Sequence, residues 1–369
     1  MQKSIVIASI LKPVSDTRMY EKFAQTLSMN SKYKVIIVGF ASKKIPIGEG
    51  ITLVPLFQFS RLSIQRLLAQ FRFFFFLTNT KPDLVIINTH ELLGIAILAK
   101  YIYGIKVIYD VRENYFRNVA YGRSLPILIR WPLALAIRLT ESFYSLFADF
   151  FFIAEAGYAK ELPFIKSKFV VLENKVSKLV INKIPITRNP SDNKFLVCGT
   201  ISEEYGIFEA IDFVSKLRTR IPEASLKIVG YCANGRLWKK IAKRIAGLEY
   251  VAVIGGDELV PHEIVLHSMA ETNYILMPYE NLPQIRHCFP TKIFEAVALN
   301  CPILISYGET WNSFITNYSA GLQVDFHQVI PIEVIHEARS HQFFTKSIPD
   351  TIYWESQENL LQEAVIKLF

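Results

Sequence analysis

At 369 residues the chain is long for one domain and ample for two. A hydrophobic content of 51%, with 13% aromatic residues, excludes a disordered chain, and a formal charge of +8 favours an anionic partner: a nucleotide, a membrane surface or nucleic acid. The four cysteines (Cys198, Cys232, Cys288 and Cys301) lack Cys-x-x-Cys spacing, which reads as reduced cytosolic thiols rather than a disulfide frame or a zinc site.

The first apolar run, Ser4–Leu11, is closed by Lys12-Pro13; it is too short for a signal peptide, lacks a small-residue cleavage site and reads as a strand. After a turn, Asp16 is placed as the N-cap of a helix. Lys34–Phe40 predicts a second strand and Ile51–Phe59 a less regular third. Ser60 is placed to cap a helix carrying Arg61, Arg66, Arg72 and the run Phe73–Phe76. Pro82–His90, Lys106–Val111 and Asp149–Ala154 are short runs rich in Val, Ile and Phe with helical segments between them, the pattern of buried parallel strands. Phe169–Glu173 closes this half, and Ser177–Asn193, with Pro185 and Pro190, reads as a linker. No run reaches the ~18 apolar residues of a membrane span.

The alternation then restarts. Strands are predicted at Lys194–Thr200, Ser225–Gly230, Tyr250–Gly255 and Asn273–Met277, with helices at Gly206–Ile221, Gly235–Ala246 and near Pro261–Ala270. A short helix follows from Pro290 to Leu299. Pro290 suits its first turn, Asn300 its left-handed C-terminal position, and Pro302 bars continuation before the strand Pro302-Ile-Leu-Ile305. Ile293, Phe294, Val297 and Ala298 share its buried face, and Lys292 and Glu295 the opposite one. The helix N-terminus attracts phosphate, Lys292 adds a full charge there, and Glu295 is placed to accept from ribose hydroxyls. The plainer reading is a solvated Lys292–Glu295 pair. The last helix, Trp354–Phe369, carries Leu360, Leu361, Ala364, Val365 and Leu368 on one side and is expected to pack back on the first half.

Two successive βα series imply an α/β fold of two doubly wound, Rossmann-like parallel-sheet domains facing across a cleft. The expected domains are residues 1–176 and 194–350, with a linker at 177–193 and a returning helix at 351–369. Ligands are expected at the carboxyl ends of strands.

Gly199-Thr-Ile-Ser-Glu-Glu-Tyr-Gly206 after the restarting strand, with Pro290-x-Lys292-x-x-Glu295, resembles the GT-B glycosyltransferases, family four in particular, and the likeness covers the whole chain in element order. In the first half Asp16-x-Arg18 opens a helix, Asp83–Glu91 looks like the family's strand ending in a polar pair, Tyr109-Asp110-Val-Arg112-Glu113 resembles its acceptor-face segment, and Glu141–Asp149 the helix that follows. The resemblance implies a UDP- or GDP-sugar donor held by Gly199, Thr200, Arg286, Phe289, Pro290, Thr291, Lys292 and Glu295, the last on the ribose. It implies an acceptor side at Asp16, Arg18 and Glu91, and catalytic positions at His90, Asp110, Arg112, Glu113 and His287. It also implies no cofactor, no essential metal, retention of anomeric configuration without a covalent intermediate, and work in surface polysaccharide or lipopolysaccharide assembly. Against the family pattern, His287 stands for the first of two glutamates, Arg112 for a histidine, and Leu11-Lys12-Pro13 for a glycine-rich loop. Thr200 and Tyr205 stand where an Arg and a Lys clamp the diphosphate, so that charge falls to Lys292, Arg286 and the helix N-terminus. Plainer structural readings stay open beside these: a strand-end histidine at His90, a loop anchor at Asp110 and Glu113, a cap with its ion-pair partner at Asp16 and Arg18, and turn geometry at Gly199 and Gly206.

In Tyr121–Phe147, Arg123, Arg130 and Arg138 alternate with Leu125, Ile127, Leu128, Trp131, Leu133, Leu135 and Ile137, the surface of a protein resting on an anionic bilayer. The Arg61, Arg66 and Arg72 helix joins it, which makes the acceptor, glycan or lipid-linked, reachable at the membrane and the chain cytoplasmic with a peripheral contact. The alternative has the apolar residues pack on the sheet while the arginines solvate the outside. A dinucleotide oxidoreductase would need Gly-x-Gly-x-x-Gly, which is absent, and the basic residues are too dispersed for nucleic acid. A sugar-nucleotide epimerase of the same fold and a catalytically silent nucleotide-binding homologue stay open.

Overall fold

The structure is a computed structural model and describes residues 2–42, 50–59, 63–122, 125–285 and 288–369. The chain divides into two units, Met1–Asn174 with Trp354–Phe369, and Lys175–Tyr353.

In the first unit the run Ile5–Ala8 is wholly buried because β1 (Lys3–Pro13) has strands on both sides and cover on both faces. Asp16 Oδ1 then accepts from the backbone N–H of Arg18 and Met19 at 3.1 and 3.2 Å. That starts a π-helical stretch, Arg18–Ala24, which runs into α1 (Gln25–Ser28). Asp16 therefore serves the helix start as expected, from one position before Thr17, the N-cap. There follow β2 (Tyr33–Phe40), β3 (Ile51–Phe57), α2 (Gln65–Thr80), β4 (Leu84–Ile87), α3 (His90–Tyr103), β5 (Lys106–Val111), α4 (Tyr115–Ala120), α5 (Ile127–Ser145), β6 (Phe150–Ile153), α6 (Tyr158–Glu161) and β7 (Phe169–Val171). The seven strands are parallel in the order β3-β2-β1-β4-β5-β6-β7. Val6, Ala8, Val85 and Val107 face the layer that contains α2 and α3, while Ile5, Ile7, Val35 and Ile37 face the layer around α1. The predicted strand ending at His90 stops at Ile87. Extended Thr89 is the N-cap of α3, so His90 opens a helix instead. The predicted cap Ser60 and Arg61 lie outside the described residues.

In the second unit, α7 (Lys178–Ile181) occupies the interval expected to be a linker, with Ile181 buried. Arg188 in that interval donates to Leu299 O and Asn300 O at 2.6 and 2.5 Å, so the segment is fastened into the unit. The series continues with β8 (Lys194–Thr200), α8 (Ile207–Leu217), β9 (Ser225–Tyr231), α9 (Gly235–Ile245), β10 (Val251–Gly256), α10 (His262–Ala270), β11 (Tyr274–Met277), α11 (Thr291–Ala298), β12 (Ile303–Ile305), α12 (Glu309–Tyr318), β13 (Gly321–Gln323) and α13 (Pro331–Ser340). These six strands are also parallel, in the order β10-β9-β8-β11-β12-β13. As expected, α11 starts after Pro290 and ends before a left-handed Asn300 (φ 49°). The last three elements carry no clear sequence signature: β13 has only three residues, none fully buried.

Trp354–Gln357 forms a 3-10 turn leading into α14 (Glu358–Ile366), and both belong to the first unit. Trp354 is buried and its Nε1 donates to Thr26 Oγ1 at 2.9 Å, while Gln357 makes two hydrogen bonds to the backbone of Glu173. Leu361, Ala364 and Val365 are buried with Leu368 at the rim. Leu360 lies one residue off that i, i+3, i+4, i+7 stripe and is 44% exposed, contrary to its predicted inward place.

Strand order reverses between β1 and β4 and again between β8 and β11. In doubly wound sheets these switch points open a crevice at the carboxyl ends of the strands, where ligands bind.

Candidate functional site

At the switch point of the second unit, β8 ends on Cys198-Gly199-Thr200. Gly199 has φ +91°, and a Cβ on it would stand 3.2 Å from Lys292 Nζ, so a side chain here would crowd the ammonium. Gly206, before α8, has φ +71°, and a Cβ there would lie 2.0 Å from the carbonyl oxygen of Pro278, after β11. Gly206 thus lets the loop after β8 close on the segment after β11, and Gly199 leaves room for Lys292.

Lys292, the second residue of α11, brings its Nζ to Cys198 O at 2.5 Å. The ammonium also stands 5.8 and 5.5 Å from the ring centroids of Tyr205 and Tyr279. Burial opposes the charge, but Tyr279, Cys198 and Glu295 outweigh it and raise the lysine above its ordinary pKa. Burial pushes the Cys198 thiol up to about 11 and also raises the Tyr279 phenol, so both neighbours are neutral around a charged lysine at pH 7. The Lys292–Glu295 surface pair does not form. Glu295 is only 4% exposed, and its Oε1 lies 2.7 Å from Nε2 of His262, the first residue of α10. The expectation that Glu295 shares an outer face with Lys292 is corrected accordingly: α10 covers that turn of α11.

His262 was not legible as a site residue. The only available signal was a polar residue after Pro261 in the loop that follows a strand. Pro290 and Thr291 stand half-buried at the start of α11, and Thr200 is exposed at the end of β8. The Phe289 ring centroid lies 4.8 Å from those of Phe294 and Phe314, tilted to the first and edge-on to the second, which makes it a packing anchor for the loop. Arg286 and His287 lie outside the described residues. The resulting arrangement, a lysine ammonium and a helix N-terminus at the carboxyl end of a central strand, can receive an oxyanion.

In the first unit the predicted charges close on one another. Arg18 and Asp110 are wholly buried. Arg18 Nε lies 2.8 Å from Asp110 Oδ2 and its Nη2 2.6 Å from Oδ1, while Nη1 donates to Leu172 O at 2.7 Å and Asn174 Oδ1 at 3.0 Å. Asn88 Nδ2 donates to Asp110 Oδ2 at 2.5 Å. With its oxygens occupied and no exposed surface, Asp110 ties the π-helical stretch after β1 and the segment after β4 to β5; this is the geometry of a structural tie, where a catalytic role for Asp110 and an acceptor role for Arg18 were expected. Arg112 forms a second pair with Asp16, at 2.8 and 3.2 Å. Burial raises the Asp16 pKa, but Arg112 and Lys12 more than reverse this and bring it to about 2. Glu113 accepts from Asn118 at 2.8 Å. His90 packs its ring 4.6 Å from that of Tyr115, and its Nδ1 is 3.4 Å from Glu91, which also pairs with Arg66. Burial lowers the His90 pKa, so the ring is neutral at pH 7.

A further network joins β5, α4, α5 and α6. Tyr109 donates to buried Glu141 Oε1 at 2.6 Å, and Arg138, 3.5 Å from Glu141, donates to Asn114 Oδ1 at 2.6 Å. Burial pushes the Glu141 carboxyl up to about 7.

Two Rossmann-like units in succession, with the last helix built into the first, define the GT-B fold of glycosyltransferases. Solved structures agree. Sucrose-phosphate synthase from Thermosynechococcus elongatus is similar over 100% of this chain and 99% of its own, at TM-score 0.75 and 13% identity. Anabaena HepE in complex with UDP and glucose matches over 98% of this chain and 99% of its own, at TM-score 0.65 and 13% identity. A UDP-N-acetylglucosamine 2-epimerase-like protein from Listeria monocytogenes matches over 99% of this chain and 96% of its own, at TM-score 0.62 and 12% identity. No family model matches the chain, and no curated protein matches it in sequence.

Proposed function

We propose that the chain is a glycosyltransferase that moves a sugar from a nucleotide-diphosphate sugar to an acceptor hydroxyl on a glycan or lipid-linked acceptor, with retention at the anomeric carbon, in cell-surface polysaccharide synthesis. The carrying observation is Lys292, charged and seated at the carboxyl end of β8 beside Gly199. Transfer leaves a nucleoside diphosphate, and stabilising its developing negative charge is the main electrostatic task. In this reading Lys292 and the N-terminus of α11 receive the diphosphate, and Glu295, held by His262, receives the ribose hydroxyls. HepE, whose structure contains UDP and glucose, supports the choice of donor. The reading asks for no metal or cofactor. The acceptor side falls to the first unit, at its half-buried polar residues His90, Glu91 and Glu113 rather than at Asp110. The remaining part of the proposal is a cytoplasmic location with a peripheral contact on an anionic membrane.

The epimerase-like neighbour supports one second reading, conversion of the sugar nucleotide itself. Titration with UDP, GDP and their sugars, followed by mass spectrometry of incubations with membrane lipid extract, separates the two. Transfer predicts a new glycosylated lipid and release of nucleoside diphosphate. Donor turnover without acceptor supports epimerisation, and no binding of any of these nucleotides removes both readings.

A further inference from the structure

The helix that the sequence reads as basic and amphipathic turns its apolar side outward. The residues that α5 buries are Ala134, Glu141 and Ser145. Leu128, Trp131, Leu135 and Leu139, spaced three or four apart, form an outward stripe with exposures of 85, 45, 53 and 60%. The arginines do not solvate this side: Arg130 donates to Gly122 O, and Arg138 turns in to Asn114 and Glu141. Within α5 this runs against the alternative in which apolar residues pack on the sheet while the arginines face outward; Arg123 lies outside the described residues.

The stripe has neighbours. α3 packs against both α2 and α5. On α2, Leu68, Phe71 and Phe75 repeat the outward spacing at 51, 60 and 65% exposure, and on α3 Tyr101 and Ile102 are 67 and 53% exposed. The carboxylates of the three helices, Glu91 and Glu141, are bonded to Arg66 and Tyr109. Exposed charge here is positive, at Arg72 on α2 and Lys81 just after it.

We propose that the outer face of α2, α3 and α5 docks on an anionic lipid bilayer, with α5 lying along the headgroup boundary. This deepens the membrane contact of the proposed function. An apolar face with cationic and no exposed anionic side chains suits acyl chains beneath phosphate headgroups. Two copies pressed together on this face would oppose like charges. Among the described residues no helix is long and apolar enough to cross a membrane, so the mode is lying on the bilayer rather than spanning it.

The test is flotation of the full chain with vesicles of phosphatidylcholine alone or mixed with phosphatidylglycerol. Binding to the mixed vesicles is expected, weaker on the neutral ones and weakened by salt. The double variant Leu135→Glu/Leu139→Glu should keep its melting temperature and lose at least roughly tenfold in vesicle affinity. Should that variant not fold, the unaltered chain still decides: Trp131 emission must shift to the blue on mixed vesicles and be quenched by brominated acyl chains, a signal absent from Trp131→Phe. The proposal is overturned by no flotation with mixed vesicles, by unchanged affinity in a folded double variant, by a native Trp131 that brominated lipid leaves unquenched, or by a dimer in solution that the substitutions dissolve without any vesicle binding. Lys292→Ala should float like the parent, so loss of nucleotide binding with flotation intact counts against the donor site alone.

Discussion

The two units carry charge at the carboxyl ends of their central strands in different ways. In the first, Arg18 faces Asp110 and Arg112 faces Asp16, each pair within hydrogen-bond distance. In the second, Lys292 sits at the corresponding end of β8 against a backbone carbonyl and two tyrosine rings. A buried ion pair is satisfied internally and fixes geometry. A cation held by neutral dipoles keeps its charge for a ligand. In the proposed function, the buried pairs of the first unit hold its geometry while the lysine of the second is the group that meets an anion.

Breaking the first unit's inner pair should have the largest effect. Arg18→Ala leaves Asp110 buried and unpaired, an expected loss of about 3–5 kcal/mol in the stability of that unit. Calorimetry should show its transition shifted down while nucleotide affinity in whatever fraction stays folded is unchanged; equal loss of both would dissolve the contrast. Glu141 comes next. Its folded pKa of about 7 lies above the ordinary 4.5, so ionisation is resisted in the folded state and stability falls as pH rises from about 4.5 to 7. The difference corresponds to at most about 3 kcal/mol, and Glu141→Gln should flatten that part of the stability–pH profile. A profile of Glu141→Gln that still falls over this range would place the cause elsewhere.

Asp16 acts in the opposite sense. Its folded value of about 2 lies below the ordinary 3.8, so its contribution is present above about pH 4 and lost as pH falls towards 2. About 2 kcal/mol is expected, and Asp16→Asn should remove this acid limb from unfolding curves taken between those values. The smallest effect belongs to the second unit. His262→Ala, which releases Glu295, should weaken nucleoside diphosphate binding by about 1 kcal/mol and leave inorganic pyrophosphate binding unchanged. A parallel loss for both ligands would show that His262 supports the loop in general and not a ribose contact.

Much of the fold was readable because buried parallel strands leave short runs of Val, Ile and Phe, as at Lys106–Val111 and Lys194–Thr200, whose predicted bounds match the observed ones. β13 was not readable, since three half-buried residues carry no pattern. Within the site, Pro290, Lys292 and Asn300 were legible through local chemistry, namely a helix start, a charge on it and a left-handed end. The partners were not. Cys198 O is a backbone atom, and the His262–Glu295 bond spans 33 residues. Arg18 and Asp110 were both singled out, but their 92-residue separation gives no sign that they meet. For α5 the alternation of arginines and apolar residues was readable as a surface, but not that tertiary partners at Asn114 and Glu141 would draw Arg138 inward.

The central claim is that Lys292 meets a diphosphate. Isothermal titration of uridine, UDP, guanosine and GDP into the parent chain and Lys292→Ala tests it directly. The expected result is that one diphosphate binds the parent at least roughly tenfold more tightly than its nucleoside, and that the substitution erases most of this gap. A Lys292→Ala protein that binds the diphosphate as tightly as the parent would contradict the account.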